Sequence, residues 1–272
     1  MEEIIYRYAV VDTFINMLES QELWFSDIKK MNDWDEYDCG YRIIEQVIQA
    51  EFPDKAYILK QISPSKVNSD FAILICSFSQ KFDCLSMWRG YGDNGNGAAI
   101  GYSKNEVENH HLFQRYLAKN APINGKVQFF PVIYSVEIFT NEVKKYLNES
   151  RRRNPGVQLN DAQFNHLTDS KLCMALIRLC TLYKNDFFVD ERETRGFIEI
   201  DAFTDPYELA EREIYDEKSK YHKFCTTFAN ISAIKEVVLG PTCKISENEL
   251  KKKLVTLGLG EVVIRKSRGT YR

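Results

Sequence analysis

Hydrophobic side chains recur along the chain at two spacings, one typical of helices and the other of strands. Steps of three and four residues keep apolar positions on one helix face and predict helices over 41–50, 161–183 and 246–257. A further helix is predicted near the start of the chain, where Asp12 or Thr13 can cap its N-terminus. Ser246 and Glu249 match a capping box at the start of the last predicted helix.

Runs of β-branched and aromatic residues mark the predicted strands. These strands lie around Arg7 and over 23–26, 71–79, 97–102, 127–136, 234–239 and 262–265. The run 71–79 is almost continuously apolar, which is typical of a central strand covered on both faces. Pro131 cannot donate a ladder hydrogen bond, so we expect a bulge or a sheet edge there.

The order of these elements predicts the fold class. Helices and strands alternate without regular βαβ spacing, so we expect an α+β fold with a central mixed, mainly antiparallel sheet flanked by helices. No internal repeat or Pro/Gly/Ser-rich linker divides the sequence. We therefore predict a single domain over residues 1–272.

Composition narrows the class of protein. The chain has 272 residues, of which 44% are hydrophobic, and a formal net charge of -3, so a packed core is expected and overall charge does not indicate nucleic-acid binding. The sequence shows neither a membrane-length apolar run nor a secretory signal, which predicts a soluble cytoplasmic protein without a membrane partner. Seven scattered cysteines without a C-x-x-C pair and only four histidines predict neither a disulfide framework nor a metal site.

Two candidate places lie on predicted strands. Arg7 stands between Tyr6 and Tyr8, where a guanidinium can pair with an anion or simply face solvent. Ser77 and Ser79 end the central strand, and strand alternation places both hydroxyls on one face. Two such hydroxyls can orient a ligand or a catalytic carboxylate, or satisfy the backbone where the sheet stops.

Two further places are richer in charge and aromatic rings. Residues 87–97 contain a glycine-rich turn, with positive φ expected at Gly95 and Gly97, and the rings of Trp88 and Tyr91 are suited to stacking on a base or nicotinamide. The glycines precede a strand rather than a helix, so this segment is not a dinucleotide fingerprint.

The fourth place is the charged run Glu191-x-Glu193-x-Arg195. If that run is extended, its three side chains point the same way, and the adjacent carboxylates raise the pKa of at least one unless a cation offsets them. A solvated charged strand is the alternative interpretation.

Short motifs follow one another along the chain, in this order: Tyr6-Arg7-Tyr8, 23–26, 31–33, 76–79, Met87-Trp88 with Tyr91, 97–102, Glu191-x-Glu193-x-Arg195, 237–241, Lys266-Ser267 and Tyr271-Arg272. Taken in this order, they resemble a widespread bacterial family of unknown function, DUF2971. The chain departs from the family's pattern at Trp34, where proline is frequent, and at Gly90, where histidine is frequent.

The arginine, Ser-x-Ser and Glu-x-Glu series also resembles the arginine-serine-glutamate ADP-ribosyltransferases. That resemblance implies NAD as substrate, a phosphate-binding Arg7, Ser77 and Ser79 ordering the site, and Trp88 or Tyr91 stacking on nicotinamide. Glu193 would be the catalytic carboxylate, and Glu191 would orient or activate the acceptor, a nucleic acid or protein. A toxin or phage-defence effector is the biological role that this activity would suit, and the fold would then be that of an ADP-ribosyltransferase.

Two other functions remain open from the residues. The first is a non-catalytic module that binds a nucleotide or nucleic acid through the 88–91 cluster and the basic runs 144–145, 151–153 and 251–253. The second is a nuclease, although the acidic residues show no spacing that suits two-metal chemistry. The acceptor and the oligomeric state do not follow from the sequence.

Overall fold

A computed structural model describes residues 2–28, 35–70, 72–109, 127–150, 161–200, 209–214, 217–228 and 231–270. The helices in these ranges are α1 Val11–Ser20, α2 Asp35–Glu51, α3 Tyr57–Gln61, α4 Pro64–Asp70, α5 Leu85–Gly90, α6 Lys104–Asn109, α7 Val136–Glu149, α8 Asp161–Cys180 and α9 Glu247–Thr256. The strands are β1 Ile4–Ala9, β2 Glu22–Asp27, β3 Ala72–Ser79, β4 Ala98–Ser103, β5 Gln128–Pro131, β6 Glu193–Ile200, β7 Leu209–Ile214, β8 Glu217–Cys225, β9 Thr227–Phe228, β10 Ile231–Ser232, β11 Ile234–Leu239 and β12 Val263–Lys266.

The chain divides into two compact units, each assembled from separate stretches of sequence. Unit 1 comprises Met1–Asp27, Ile73–Pro131 and Asp190–Arg272 and contains the β-sheet. Unit 2 comprises Ile28–Ala72 and Val132–Val189, and its long helices are α2, α7 and α8. The seven candidate site residues all belong to unit 1: Arg7, Ser77, Ser79, Trp88, Tyr91, Glu191 and Glu193. The basic run 144–145 belongs to unit 2.

Unit 1 is built on a ten-stranded sheet. Its main path runs β12-β11-β4-β1-β3-β2-β8-β7, and β6 joins this path by pairing with β3 and with β5. The pairs β1–β4, β4–β11, β2–β8, β5–β6 and β7–β8 are antiparallel, whereas β11 and β12 are parallel. The predicted α+β class with a mixed, mainly antiparallel sheet is therefore confirmed, while a single domain over 1–272 stays a prediction.

The sheet has two buried faces with different coverings. One face, called here the α1/α9 face, packs Ile5 and Ile100 with Phe14 of α1 and with Leu250 and Leu254 of α9. The other, called the α5 face, packs Tyr6, Tyr8 and Ala99 against Met87 and Trp88 of α5. Because successive residues of a strand project to opposite sides, every residue of β1 and β3 belongs to one face or the other.

The predicted strand over 127–136 is only partly correct. β5 ends at Pro131, and Ser135 begins α7 as an N-cap whose hydroxyl accepts a hydrogen bond from Ile138 N at 3.3 Å. Proline removes a ladder donor, and the serine satisfies an otherwise unpaired helical N–H, so the chain leaves the sheet here. The sequence pattern missed this cap because the apolar residues continue past it.

Helix ends and caps also differ from prediction, and α2 begins at Asp35 rather than at 41. The N-cap of α1 is Val10 without a side-chain hydrogen bond, so the predicted caps Asp12 and Thr13 both lie inside the helix. Ser246 is the N-cap of α9, as predicted, but its side chain forms no capping hydrogen bond. The helix α8 ends at Cys180 rather than at 183.

Glycine occupies two positions in the turn before β4 for two different reasons. Gly95 has a positive φ of 89°, as predicted, and glycine adopts this backbone conformation without the steric cost of a Cβ. The positive φ expected at Gly97 is wrong: a Cβ there would lie 2.1 Å from Ala9 O, so this glycine allows two backbone segments to approach closely.

We predict that Gly101→Ala destabilises unit 1. Gly101 lies between Tyr6 and Glu236 in the strand register, and its added Cβ would meet Glu236 Cγ at 2.7 Å and Ile4 Cγ2 at 2.9 Å. Crowding of this kind costs about 1–3 kcal/mol. Urea unfolding should show that loss, with Gly90→Ala as the control because a Cβ at Gly90 meets nothing within 4 Å. Equal unfolding midpoints for the two variants would contradict this packing.

Candidate functional site

Arg7 lies in the middle of the sheet, on the α1/α9 face. It pairs with the fully buried Ile100 across β1 and β4, which places its side chain on the same face as the α1/α9 core. Arg7 Nη1 donates a hydrogen bond to Ser77 O at 2.9 Å. Within the ranges that the structure describes, no carboxylate pairs with this half-buried guanidinium.

Two buried groups, Cys76 and Tyr102, lie beside Arg7. Both share its face of the sheet and are at most 1% exposed. Burial raises the pKa of the Cys76 thiol and of the Tyr102 phenol, and the nearby Arg7 charge opposes this only in part. The Tyr102 hydroxyl is buried without a hydrogen-bond partner among the described residues. An unpartnered buried hydroxyl costs about 1–3 kcal/mol, so packing alone does not account for it.

Ser77 and Ser79 lie on the opposite, α5 face. Ser79 is the partner of Tyr6 in the register between β1 and β3, and alternation places Ser77 on the same side. Ser79 Oγ donates to Glu191 O at 2.7 Å and accepts from Lys81 N at 3.1 Å, so this hydroxyl satisfies the backbone where β3 ends. Ser77 Oγ, in contrast, is buried and has no hydrogen-bond partner in the described part of the chain.

Glu193 and Arg195 form a buried ion pair on the same side as the serines. Arg195 Nε lies 2.7 Å from Glu193 Oε1, and Arg195 Nη2 donates to Glu193 Oε2 at 3.2 Å. Their side chains are 7% and 1% exposed, respectively. A Cβ on Gly196, the residue after Arg195, would meet Phe129 and Phe25 of the α1/α9 core. Because side chains alternate along β6, Glu193 and Arg195 face the other way.

Glu191 does not share the strand with Glu193, which corrects the expectation of one extended segment. It ends a 3-10 turn, Asp186–Glu191, and Arg192 then adopts a left-handed φ of 46° before β6 begins. Arg192 O accepts a hydrogen bond from Gln80 N at 2.9 Å, which fixes this bend beside the end of β3. Glu191 therefore contributes its carbonyl to Ser79 and does not align with Glu193.

The aromatic cluster also separates. Trp88 is 2% exposed, donates from Nε1 to Asp83 Oδ1 at 2.6 Å, and contacts the Tyr8 ring edge-on with centroids 4.6 Å apart. This burial leaves little of the indole for stacking on a ligand. Tyr91 is 41% exposed and keeps a ring surface that solvent reaches.

Four of the seven predicted site residues, Arg7, Ser77, Ser79 and Glu193, thus divide between two centres, one on each face of the sheet. We call Arg7, Cys76 and Tyr102 the Arg7 centre, and Ser77, Ser79, Glu193 and Arg195 the Glu193 centre. The strand β3 separates them, since Ser77 offers its carbonyl to Arg7 and its hydroxyl to the other side. The structure therefore does not bring Arg7 and Glu193 together in one cleft.

Sequence reasoning missed Tyr102, although a signal for it exists. Alternation along 97–102 places Tyr102 on the same face as Ile100, and a phenol in a core needs a hydrogen-bond partner. Asp83 was also missed: its carboxylate accepts from Trp88, from Ser267 Oγ at 2.7 Å and from Arg268 N at 2.7 Å. The bonds from Ser267 and Arg268 hold the segment 266–269 against Asp83. They join residues more than 180 positions apart, so no local sequence pattern indicates them.

The basic runs are partly neutralised by acidic neighbours. Lys144 pairs with Glu51 at 2.6 Å, Lys145 with Glu142 at 3.3 Å, and Lys253 pairs with Glu19. The run 151–153 lies outside the described residues. This pairing weakens the case for these runs as a nucleic-acid surface.

Comparison with known families supports the first of the two resemblances. A family model described as a protein of unknown function (DUF2971) matches residues 87–196, the stretch from α5 to the start of β6. Searches of curated proteins and of solved structures found no match. The resemblance to ADP-ribosyltransferases therefore stays a hypothesis.

The described residues were also compared with the requirements of a metal site and of a membrane-spanning helix. The described residues contain no cluster of three or more His, Cys, Asp or Glu side chains that could hold a metal ion. In the same part of the chain, no helix combines the length and the apolar character needed to cross a bilayer.

We predict that Asp83→Asn destabilises the protein in a pH-dependent way. Burial raises the pKa of Asp83, but hydrogen bonds from Trp88, Ser267 and Arg268 outweigh it and hold this pKa below its usual value. The ionised carboxylate therefore stabilises the fold above about pH 4 and loses that contribution as the pH falls through the folded pKa. Urea unfolding at pH 7 should show a loss of about 1–2 kcal/mol, and the gap to wild type should narrow below about pH 4.

Asp190→Asn is the control for this measurement. Asp190 is 80% exposed and lies 3.9 Å from Lys81, so its loss should cost less than about 0.5 kcal/mol at any pH. A gap between wild type and Asp83→Asn that stays constant down to pH 2 would contradict the assigned role of the Asp83 carboxylate.

Proposed function

We propose that unit 1 binds a nucleotide or a related ligand through a phosphate group at Arg7. Two observations on neighbouring groups support this proposal. The half-buried Arg7 guanidinium has no carboxylate partner among the described residues, and the buried Tyr102 hydroxyl beside it has no hydrogen-bond partner among them. Buried charges are normally paired, because removing them from water is costly, and a half-buried guanidinium has lost part of its hydration. A ligand oxyanion would supply the missing negative charge.

The chemistry of arginine suits this role. Its guanidinium presents five N–H donors in a fixed fork that matches phosphate and carboxylate oxygens. Among the described residues, Arg7 donates a hydrogen bond only from Nη1, to Ser77 O, and that bond holds the guanidinium plane against β3. The remaining donors are oriented before the ligand arrives, which lowers the entropy cost of binding.

We predict that Arg7→Gln abolishes most of the binding of phosphate-bearing ligands. A charge-assisted hydrogen bond is worth about 1.5–3 kcal/mol, so loss of the guanidinium should weaken binding of AMP or NAD by about tenfold to a hundredfold. Isothermal titration calorimetry measures this directly. Arg265→Gln is the control, because Arg265 lies in the same sheet but already pairs with Glu236 at 2.7 Å.

Equal affinities in wild type and Arg7→Gln would refute this function. A parallel urea titration of both arginine variants separates lost affinity from lost folding.

A second candidate function, NAD-dependent ADP-ribosyl transfer, is favoured by the Glu193 centre. Glu193 is buried and held by Arg195 in a two-point contact, and the unpartnered Ser77 hydroxyl lies on the same side of the sheet. A carboxylate fixed in this way can stabilise the oxocarbenium-like state that forms when the nicotinamide–ribose bond breaks. In this alternative Arg7 lies on the other face and does not hold the pyrophosphate.

Glu193→Gln tests that alternative against a matched variant, Glu236→Gln. Glu236 is also a buried glutamate, is 7% exposed at its side chain, and pairs with an arginine Nε at 2.7 Å. If Glu193 is catalytic, nicotinamide release from NAD should fall by about a hundredfold or more in Glu193→Gln and stay near wild type in Glu236→Gln. Equal rates in the two variants, or no release by wild type, would leave ligand binding at Arg7 as the supported function.

A further inference from the structure

We infer that the hydroxyl of Tyr102 is a second ligand-binding group of the Arg7 centre and donates a hydrogen bond to the bound oxyanion. This inference rests on the proposed binding at Arg7 and extends it to a residue on a different strand. It also narrows the ligand class to phosphate or carboxylate groups that can accept from two converging donors.

The strand register brings the two side chains together. Tyr102 is the partner of Ile5, and Arg7 is the partner of Ile100, so Arg7 and Tyr102 are diagonal neighbours on one face of an antiparallel pair. Diagonal neighbours have backbones about 7–8 Å apart, within reach of two long side chains. The Tyr102 ring is held in place by Phe78, which contacts it edge-on with centroids 5.9 Å apart.

Packing does not explain why this position carries a hydroxyl. Tyr102 is fully buried in the α1/α9 core, and its oxygen has no partner in the described part of the protein. A phenylalanine would fill nearly the same volume without burying an unsatisfied polar atom. The hydroxyl therefore has a use if a group outside the described residues completes its hydrogen bond, and the inference gives that role to the ligand.

Protonation states favour an acceptor ligand. Burial raises the pKa of the Tyr102 phenol, so it stays a neutral donor at physiological pH, and burial likewise keeps the Cys76 thiol protonated. Arg7 is the charged group of the centre, and its partner Ser77 O is neutral. The centre thus presents donors and positive charge, which is what an oxyanion requires.

The test uses Tyr102→Phe with a matched control, Tyr8→Phe. Tyr8 is also buried in unit 1, but it lies on the α5 face and its hydroxyl already donates to Lys81 O at 2.8 Å. Isothermal titration calorimetry with inorganic phosphate and with AMP measures affinity, and urea unfolding without ligand measures stability. We expect Tyr102→Phe to lose about tenfold in affinity for both probes, with an unfolding midpoint equal to or above that of wild type.

The control should behave in the opposite way. Tyr8→Phe removes a satisfied hydrogen bond, so its unfolding midpoint should fall while its affinity for phosphate and AMP stays at the wild-type value. If Tyr102→Phe binds both probes as wild type does while Arg7→Gln does not, this inference fails and binding at Arg7 stands. If wild type binds neither probe, both fail. A drop in the unfolding midpoint of Tyr102→Phe as large as that of Tyr8→Phe would also overturn the inference, because the hydroxyl would then have an internal partner.

Discussion

Neighbouring residues of a β-strand project to opposite faces of the sheet, and this constraint decides how the polar residues of unit 1 are used. In β1 it sends Arg7 to the α1/α9 face, and Tyr6 and Tyr8 to the α5 face. The antiparallel pairing of β1 with β4 carries the same division across the sheet, so that Tyr102 joins Arg7. A shift of one residue in this register would exchange the faces and bury Arg7 under α5. The register is held by the fully buried residues of β4, which lose their packing in any other alignment.

The division produces two polar centres with different electrostatic character. Both centres contain a buried hydroxyl without a partner among the described residues, Ser77 in one and Tyr102 in the other. In the Glu193 centre, Arg195 pairs with the carboxylate at two points, whereas in the described part of the chain no carboxylate pairs with Arg7. A paired carboxylate already has a compensating charge, whereas a guanidinium without a carboxylate partner can pair with an oxyanion of a ligand. This difference is why binding at Arg7 ranks above catalysis at Glu193, although the sequence motifs drew attention to both.

Much of the fold followed from local patterns, and the part that failed depended on distant contacts. The apolar runs 73–79 of β3 and 172–180 of α8 are strong signals, because nearly every position in them is buried. Face assignment of Arg7 relative to Glu193 could not be predicted, since it depends on how β1, β3 and β6 pair across the chain. The bend at Arg192, which places Glu191 outside the strand, could not be predicted because the left-handed residue is an arginine and not a glycine. Trp88 looked available for stacking, but Asp83 and Tyr8 bury it.

The central claim is that an oxyanion completes the hydrogen bonds of the Arg7 centre. A crystal structure of the protein grown with AMP tests it most directly. We predict phosphate oxygens about 2.7–3.2 Å from both the Arg7 guanidinium and the Tyr102 hydroxyl, on the α1/α9 face of the sheet. Well-defined AMP bound beside Glu193 on the α5 face, with Arg7 contacting only Ser77 O, would contradict the claim.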